Sequence, residues 1–470
     1  MLFSSSIFIY VFLPFVLFVD LVVLKKNRVA QNVFLLLASL YFYAWGEPKF
    51  VFVMMASIVI NWFCGLMIDK NRDKKLISRL ILATAVFFDL VILFIFKYLG
   101  FSENVMNSAF GLNMKVHNIA LPIGISFFTF QAISYVVDVY RKKGEVQTNI
   151  LYVGLYISFF PQLIAGPIVR YETVADQIKN RKETLEDLFE GFITFVVGLS
   201  KKVLLANSLA VVADQAFSYE GGKLSVLFSW LGVVTYSLQL FFDFGGYSDM
   251  AIGLGRMFGF HFLENFKYPY ISKSITDFWR RWHISLATWF RDYLYIPLGG
   301  SRCGKVRNVF NIFMVWLFTG IWHGANYTYI GWGMINFALL MMERSTGIHK
   351  KEGKITGCVM RVYTLLCISV SMVVFRANSI SHAITYLKSM FGLNGNKVSD
   401  GIFVGWFTQN LLIIIVSLVL ATPIIKNIGI KYRDNKAFGW GRVALYVCLF
   451  VLSVASLTGS AYNPFIYFNF

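Results

Sequence analysis

Long apolar runs, separated by short clusters of basic residues, dominate this 470-residue chain. A helix of about 20 apolar residues is long enough to cross the hydrocarbon core of a bilayer. Only helices and closed barrels can span lipid, because every backbone polar group must find its partner within the structure. We therefore predict an all-α, polytopic integral membrane protein. The runs lie near 5–24, 31–46, 50–69, 78–98, 119–139, 151–169, 187–212, 226–256, 308–323, 327–343, 356–376, 404–425 and 441–460.

Composition argues against a soluble domain and against a nucleic-acid-binding protein. Hydrophobic residues make up 57% of the chain and charged residues 14%, whereas soluble domains carry roughly 25% charged residues. The net charge of +18 comes from Lys and Arg clusters between apolar runs, where the positive-inside bias of membrane proteins places them. No Ser/Pro-rich linker and no internal repeat divides the sequence, so we predict one domain over 1–470.

The basic clusters predict how the chain is oriented in the membrane. Clusters around Lys25, Lys74 and Arg141 follow the first, third and fifth runs, whereas the segment 99–118 carries few charges. Because cytoplasmic loops hold the excess of Lys and Arg, we expect the N-terminus and the 99–118 loop outside. Further inside loops near 350–354 and 426–436 would then place the C-terminus outside as well.

The apolar run at 151–169 interrupts this alternation. It contains Pro161, Gly166 and Pro167, and basic clusters flank it on both sides. Proline breaks or kinks a helix interior, and irregular backbone at membrane depth needs protein or a water-filled cavity around it. We predict a re-entrant or broken helix here, of the kind that often lines a substrate path. One short, kinked span is the alternative.

An ionisable side chain, His323, lies within the apolar stretch 316–326. Placing it inside a membrane costs free energy, so such a residue marks a functional site by default. An imidazole exchanges a proton near neutral pH, which suits acid–base chemistry. A neutral histidine that is hydrogen-bonded between helices is an equally weighted alternative.

The stretch 274–298 carries too many charges for a span. Ser274 followed by Asp277 resembles the capping box that starts a helix. Apolar side chains then recur every three or four residues, which predicts one amphipathic helix at the membrane interface or packed across the spans. His283 falls at the edge of this stripe, where it can face the protein interior. The stripe consists of Trp279, Trp282, Leu286, Trp289 and Tyr293.

Two carboxylates, Asp243 and Asp249, lie within an apolar segment. Each needs a partner there, and a structural buried pair is a better explanation than a direct catalytic role. The expected partners are the guanidinium groups nearby in sequence, those of Arg280, Arg281 and Arg291.

Familiar catalytic and nucleotide-binding motifs are missing from the sequence. It contains no HExxH, no GxSxG, no Walker loop and no metal-ligand cluster, so hydrolase, metalloprotease and ATP-driven functions lose support and we expect no metal. The glycines at 253, 255 and 259 do not have the dinucleotide-binding spacing. We interpret them as points of close packing between helices.

Three long motifs resemble the membrane-bound O-acyltransferases (MBOAT), in particular their bacterial alginate O-acetyltransferase branch. They are FFDFGGYSDMAIGLGRMFGF (241–260), SITDFWRRWHISLATWFRDYLYIPLGGSR (274–302) and GIWHGANYTYIGWG (320–333). Further stretches, among them FFPQLIAGPIVRY (159–171) and the terminal NPFIYFNF (463–470), support the resemblance. The core motif region is 230–345, and the resemblance covers essentially the whole chain.

This resemblance implies both an architecture and a reaction. About 11–13 transmembrane or re-entrant helices would form a ring around a thin central tunnel, with interfacial helices added. An acyl group would pass across the bacterial cytoplasmic membrane from a thioester donor such as acetyl-CoA, with no permanently bound cofactor, to modify a surface polysaccharide. Membrane lipid and an extracytoplasmic SGNH-type acetyltransferase, or a small acyl-accepting membrane protein, would be its partners. His323 matches the family's catalytic histidine and His283 its second histidine.

Acyl transfer also fits the chemistry of these residues. A hydroxyl that attacks a thioester must lose a proton, which His323 can accept, and the developing oxyanion needs hydrogen-bond donors. We expect those donors among Asn326, the Trp322 indole and His283, with Asp249 and Arg291 as supporting tunnel residues. The adjacent lysines at 201 and 202 are expected to extend to lipid headgroups, with donor phosphates as the alternative.

Two other functions stay open at this point. A D-alanyl transferase, which works with a carrier protein on teichoic acid, shares the core motifs. A non-enzymatic transporter would use the polar centre as a permeation path, although the paired repeats expected of it are missing. In the acyl-transfer functions, His323 is either the general base or the carrier of the acyl group.

Overall fold

The computed structural model of the protein describes residues 1–219, 224–348 and 353–459. Every regular element within them is helical, and these residues form no strand, which confirms the all-α prediction. Within these ranges seven helices are long and apolar enough to cross a membrane, so the chain is a multi-pass membrane protein. The predicted ring and tunnel stay a prediction. Lys350, Lys351 and the terminal motif at 463–470 lie outside the described residues.

The chain divides into two compact units, and the first comprises Met1–Phe195 and Tyr247–Leu263. Its first helix, α1 (Leu13–Phe18), is extended by π-helical turns at Phe8–Phe12 and Val19–Val23. The helices that follow are α2 (Arg28–Ala44), α3 (Val51–Lys70), α4 (Lys75–Lys97), α5 (Leu99–Phe110), α6 (Ile125–Tyr140), α7 (Ile150–Ser158), α8 (Phe160–Leu163), α9 (Tyr171–Val174) and α10 (Gln177–Asn180).

Aromatic rings fill the core of the first unit. Phe42 on α2 lies 5.6 Å from Phe3, 5.8 Å from Phe8 and 5.6 Å from Phe160, measured between ring centroids. Helix α5 occupies part of the segment predicted as the 99–118 loop, and that prediction was wrong over those residues. The segment has few charges but enough apolar side chains for a helix.

The prediction of a broken helix at 151–169 is confirmed. Helix α7 ends at Ser158, α8 continues for one turn, and the backbone from Ala165 to Arg170 is not helical. This whole stretch is almost completely buried, so protein surrounds the irregular backbone as the membrane requires. Whether the segment is re-entrant stays a prediction.

Close packing of two long helices completes the first unit. Helix α11 (Leu185–Ser200) continues through a π-helical turn, Lys201–Ala206, into α12 (Asn207–Phe217), and α13 spans Val226–Met257. A Cβ atom on Gly253 would lie 2.5 Å from the carbonyl oxygen of Gly191, closer than real Cβ atoms approach. The interpretation of this glycine as a point of close helix packing is therefore confirmed.

The second unit comprises Val196–Gly246 and the chain from Glu264 onward. Its later helices pack largely against their neighbours in sequence, as α16 does with α17 and α17 with α18. The prediction of a single domain stays a prediction. After a 3₁₀ turn at Pro269–Ile271 come α14 (Ile275–Arg281), α15 (Ile284–Phe290), a π-helical turn (Arg291–Tyr295), α16 (Lys305–His323), α17 (Tyr327–Thr346), α18 (Lys354–Arg376), α19 (Ile380–Met390), α20 (Gly401–Leu420), α21 (Ile424–Lys431) and α22 (Lys436–Gly459).

Candidate active site

His323 is the last residue of α16, at the tip of a tightly packed helical hairpin. A Cβ atom on Gly333 of α17 would lie 2.5 Å from the carbonyl oxygen of Trp316, and one on Gly320 would lie 2.6 Å from that of Tyr329. Only glycine allows the two backbones to approach this closely. The hairpin therefore holds the turn after His323 firmly against the first turn of α17.

Aromatic rings enclose the His323 imidazole. Its ring centroid lies 4.9 Å from that of Trp322, 5.0 Å from Trp332 and 5.1 Å from Phe375, each in an edge-to-face arrangement. The residue is only 4% exposed. The structure therefore confirms the predicted burial of His323 in an apolar environment. Its chemical role stays a prediction.

The predicted single amphipathic helix over 274–298 was wrong, because the helix breaks at His283. Ser274 does cap α14 by accepting a hydrogen bond from the Asp277 N–H at 2.9 Å, as the capping signal predicted. The chain then extends at Trp282, and His283 adopts φ 47° and ψ 53° before α15 begins. This left-handed conformation is costly for a residue other than glycine.

An extended neighbouring segment holds this break in place. The Lys267 N–H donates to the Arg281 carbonyl and the Ile284 N–H donates to the Asn265 carbonyl, both at 2.9 Å. The Asn265 side-chain oxygen also accepts from the Ser285 N–H at 3.1 Å. These bonds on both sides of His283 fix its strained backbone. The prediction that its side chain faces the interior is confirmed, since His283 is 3% exposed.

The His283 imidazole lies among aromatic rings. Its ring centroid is 4.6 Å from Phe244 and 5.9 Å from Trp322. Neither ring nitrogen has a hydrogen-bond partner within the described residues. Burial lowers the pKa of His283 from its ordinary 6.5 to about 3, so the ring is neutral near pH 7. A neutral imidazole can donate one hydrogen bond and accept another.

The two histidines meet at one indole ring. Trp322 lies next to His283 on one side and next to His323 on the other, with centroid distances of 5.9 and 4.9 Å. Two residues that are 40 positions apart in sequence therefore belong to one buried aromatic cluster, which includes Phe244, Trp332 and Phe375. Both imidazoles therefore lie in one buried site, from which bulk water is largely excluded.

The other predicted site residues have different surroundings. Asn326 caps α17 by accepting from the Thr328 N–H at 3.1 Å, and its amide nitrogen donates to the Asn378 carbonyl at 3.2 Å. Arg291 is exposed and bonds to Asp292 at 2.8 Å. Asp249 is half-buried and belongs to the first unit. Their predicted supporting roles stay predictions.

The predicted partners of Asp243 were wrong. Asp243 pairs with Lys202, whose Nζ lies 2.8 Å from Asp243 Oδ1, and the two side chains are only 2% and 3% exposed. The prediction that Lys202 extends to the headgroups was therefore also wrong. A carboxylate on the neighbouring helix offers the ammonium group a closer partner than the membrane surface does.

Two residues that the sequence analysis did not single out support this cluster. Glu343 is fully buried and accepts hydrogen bonds from the backbone N–H groups of Ile275 at 2.6 Å and Thr276 at 3.0 Å. Phe375 forms one wall around His323. A buried glutamate in an apolar run is a signal that could have been noticed, whereas one of 48 phenylalanines carries none.

The chain is similar to known acyltransferases over most of its length. Residues 41–381 match the MBOAT, membrane-bound O-acyltransferase family. A probable alginate O-acetylase AlgI of Pseudomonas putida is 40% identical over the full length of both chains. A peptidoglycan O-acetyltransferase of Helicobacter pylori is 33% identical over all of this chain and 98% of its own.

A more distant similarity covers about half of the chain. A teichoic acid D-alanyltransferase of Bacillus subtilis is 32% identical over 48% of this chain and 59% of its own. The acetyltransferases match more of the chain than this relative does. The family match extends over most of the sequence and includes both buried histidines. The chain therefore belongs to the membrane-bound O-acyltransferase family and is an O-acyltransferase.

Proposed function

We propose that this protein transfers an acetyl group from a cytoplasmic thioester donor, such as acetyl-CoA, across the cell membrane for O-acetylation of a surface polysaccharide. The observation that carries the proposal is the pair of buried imidazoles beside Trp322. The alginate and peptidoglycan O-acetyltransferases, similar over the whole chain, support acetyl as the group and a polysaccharide as the final acceptor.

His323 acts as the general base in this proposal. Its imidazole accepts the proton of the attacking hydroxyl while the hydroxyl oxygen bonds to the thioester carbonyl carbon. The C–S bond then breaks, and the imidazolium returns the proton to the leaving sulfur, which departs as a thiol. A positioned base of this kind contributes typically about 10²–10⁴-fold to the rate, equivalent to roughly 3–5 kcal/mol of activation free energy.

His283 acts as a neutral hydrogen-bonding group. Because burial lowers the pKa of its ring to about 3, it holds no charge that would pair with an anion. It can instead donate one N–H to the oxygen on which negative charge develops, and such preorganised donors in a dry site are effective. This role gives a purpose to an imidazole that has no hydrogen-bond partner within the described residues.

The protein works in the cytoplasmic membrane with both termini outside. The basic clusters that follow the first, third and fifth apolar runs support this orientation. An extracytoplasmic SGNH-type acetyltransferase, or a small acyl-accepting membrane protein, receives the acetyl group and passes it to the polysaccharide. A donor on one side and an acceptor on the other require the two reactants to meet within the protein, where the two histidines are buried.

The test is the acetate-ester content of the cell's surface polysaccharides. We expect His323→Ala to abolish the ester and His283→Ala to lower it strongly, at membrane abundance matched to the wild type. His117→Gln is the control, because His117 is exposed and pairs with Glu103 at 2.8 Å, in the first unit. Unchanged ester in His323→Ala would refute the proposal, and loss of D-alanyl ester instead would identify the protein as a D-alanyl transferase.

A further inference from the structure

Helix α21 connects two membrane spans that the protein itself hardly covers. Helices α20 and α22 are both long and apolar enough to cross a membrane, yet only 11% and 6% of their most apolar stretches are buried inside the protein. Their remaining surface faces the bilayer, and α21 begins and ends at one side of it. All three helices lie beyond residues 41–381, so the family match does not extend to them.

Helix α21 is amphipathic and leaves both of its faces exposed. No residue of this helix is buried. Ile424, Ile425 and Ile428 lie on one face, at helical spacing, and are 50%, 48% and 41% exposed. Lys426 and Lys431 lie on the other face and are exposed as well. A helix with one apolar and one basic face at a membrane surface is typical of an element that lies between the headgroups and the acyl chains.

The residues that follow α21 extend its basic face into a larger basic surface. The segment 423–442 contains five cations but a single carboxylate, that of Asp434. Within the described part of the chain none of these cations forms an ion pair. The protein therefore presents positive charge here that it does not neutralise itself. The cations of the basic surface are Lys426, Lys431, Arg433, Lys436 and Arg442.

Aromatic side chains lie among these cations. Tyr432 is 44% exposed and Trp440 is 76% exposed. The Lys431 Nζ lies 5.4 Å from the Tyr432 ring centroid, and the Arg442 guanidinium carbon lies 5.9 Å from that of Tyr446. Tyrosine and tryptophan are enriched where the membrane meets water. The basic surface is therefore at the level of the lipid headgroups.

We propose that the basic surface binds the headgroups of anionic phospholipids, while the isoleucines of α21 lie against the acyl chains. Each Lys or Arg near an anionic membrane surface strengthens the attraction roughly fivefold. A zwitterionic lipid offers the isoleucines the same apolar surroundings but no net negative charge for the cations. Because cytoplasmic loops hold the excess of Lys and Arg, the anionic lipid belongs to the cytoplasmic leaflet.

Lipid bound at this surface anchors the helices on either side of it. Helix α22 packs against the π-helical turn Lys201–Ala206, and the Ser453 hydroxyl lies 3.1 Å from that of Ser200. Protein covers little else of α20 and α22. Headgroups that hold α21 at the membrane surface therefore also keep α22 at the depth at which Ser453 meets Ser200.

The experiment measures which lipid surrounds Trp440 in the full chain, reconstituted into phosphatidylcholine vesicles. A minority of the lipid is either brominated phosphatidylglycerol or brominated phosphatidylcholine, and bromine quenches the fluorescence of a tryptophan that it contacts. The difference between each protein and its Trp440→Phe version isolates the fluorescence of this residue. The charge variant is Lys426→Ala/Lys431→Ala/Arg433→Ala/Lys436→Ala. The control, Lys70→Ala/Lys74→Ala/Lys75→Ala/Arg79→Ala, removes four exposed cations around the loop between α3 and α4.

In the wild type we expect brominated phosphatidylglycerol to quench Trp440 roughly twofold more than brominated phosphatidylcholine, or stronger still. This ratio is expected to fall to about one in the charge variant and to stay at the wild-type value in the control. A rise in salt from about 0.1 M to about 1 M, which shortens the Debye length from about 10 Å to about 3 Å, should lower the wild-type ratio without any substitution.

Equal quenching by the two lipids in the wild type would overturn the proposal. A ratio that stays at the wild-type value in the charge variant would do the same, and loss of a bound cytoplasmic protein from that variant would then assign the basic surface to a protein partner. A ratio that falls equally in the control would show that the total charge of the protein attracts the lipid, and this result too would contradict a site at α21.

Discussion

Removing the carboxylate of Asp243 tests the buried ion pair with Lys202. Both side chains are nearly inaccessible, and Lys202 Nζ lies 2.8 Å from Asp243 and 2.9 Å from the Asn207 side-chain oxygen. Breaking a buried pair by removing one partner leaves an uncompensated charge and costs about 3–5 kcal/mol. Breaking an exposed pair costs only about 0–1 kcal/mol. Asp243→Asn is therefore expected to lower the free energy of unfolding by about 3–5 kcal/mol.

This loss corresponds to a measurable shift in thermal unfolding. At about 2.1 cal/mol/K per residue, the total unfolding entropy of the 470-residue chain is roughly 1 kcal/mol/K. The midpoint of unfolding is then expected to fall by roughly 3–5 °C, measured by intrinsic fluorescence in detergent. Asp434→Asn, which removes an exposed carboxylate of the same unit, is the matched control and is expected to leave the midpoint unchanged.

A double substitution separates charge from packing. Lys202→Met with Asp243→Leu removes both charges at similar volume, and such replacements are often neutral or stabilising. We expect the double variant to regain most of the stability that Asp243→Asn loses. The explanation is refuted if Asp243→Asn unfolds within about 1 °C of the wild type, or if the double variant is no more stable than the single one.

Substitutions at three further positions test the cluster. Glu343→Ala leaves the N–H groups of Ile275 and Thr276 at the start of α14 without this acceptor and is expected to lower the unfolding midpoint, whereas Glu343→Gln keeps one acceptor and lowers it less. The wild type is expected to lose stability as the pH falls from about 6.5 toward 3, by up to about 1.4 kcal/mol per pH unit, since the unfolded chain protonates His283 while burial keeps it neutral in the fold. His283→Gln should flatten this slope in pH-dependent melting. Gly333→Leu meets the Trp316 carbonyl and is expected to separate α16 from α17 and abolish ester formation in cells.

The helical layout could be predicted because lipid imposes it. The runs predicted at 50–69 and 226–256 correspond to Val51–Lys70 and Val226–Met257, within one residue at each end. Run length and apolarity determine such helices almost alone, because the chain cannot leave backbone groups unsatisfied in hydrocarbon. The break after Ser158 was visible for the same reason, since proline and glycine signal it locally.

The tertiary contacts could not be predicted from the sequence. The apolar period continues without interruption from Trp279 to Tyr293, so nothing local marks the break at His283. It depends on hydrogen bonds from the segment around Asn265. The partner of Asp243 is 41 positions away in sequence, and choosing Lys202 over nearby arginines requires knowing which helices pack together. Both histidines could be singled out, but the rings around them could not.

The free-energy cost of placing His283 in its strained, buried position is the strongest argument that the aromatic cluster is a functional site. Its left-handed backbone costs about 1–3 kcal/mol, and a buried polar group without a partner costs about 1–3 kcal/mol more. Together they are a substantial share of the stability of a typical protein, about 5–15 kcal/mol. An apolar ring in the same aromatic surroundings would avoid the second cost entirely. Both costs support the proposal that a bound substrate brings a polar group to the His283 imidazole, beside the neighbouring His323.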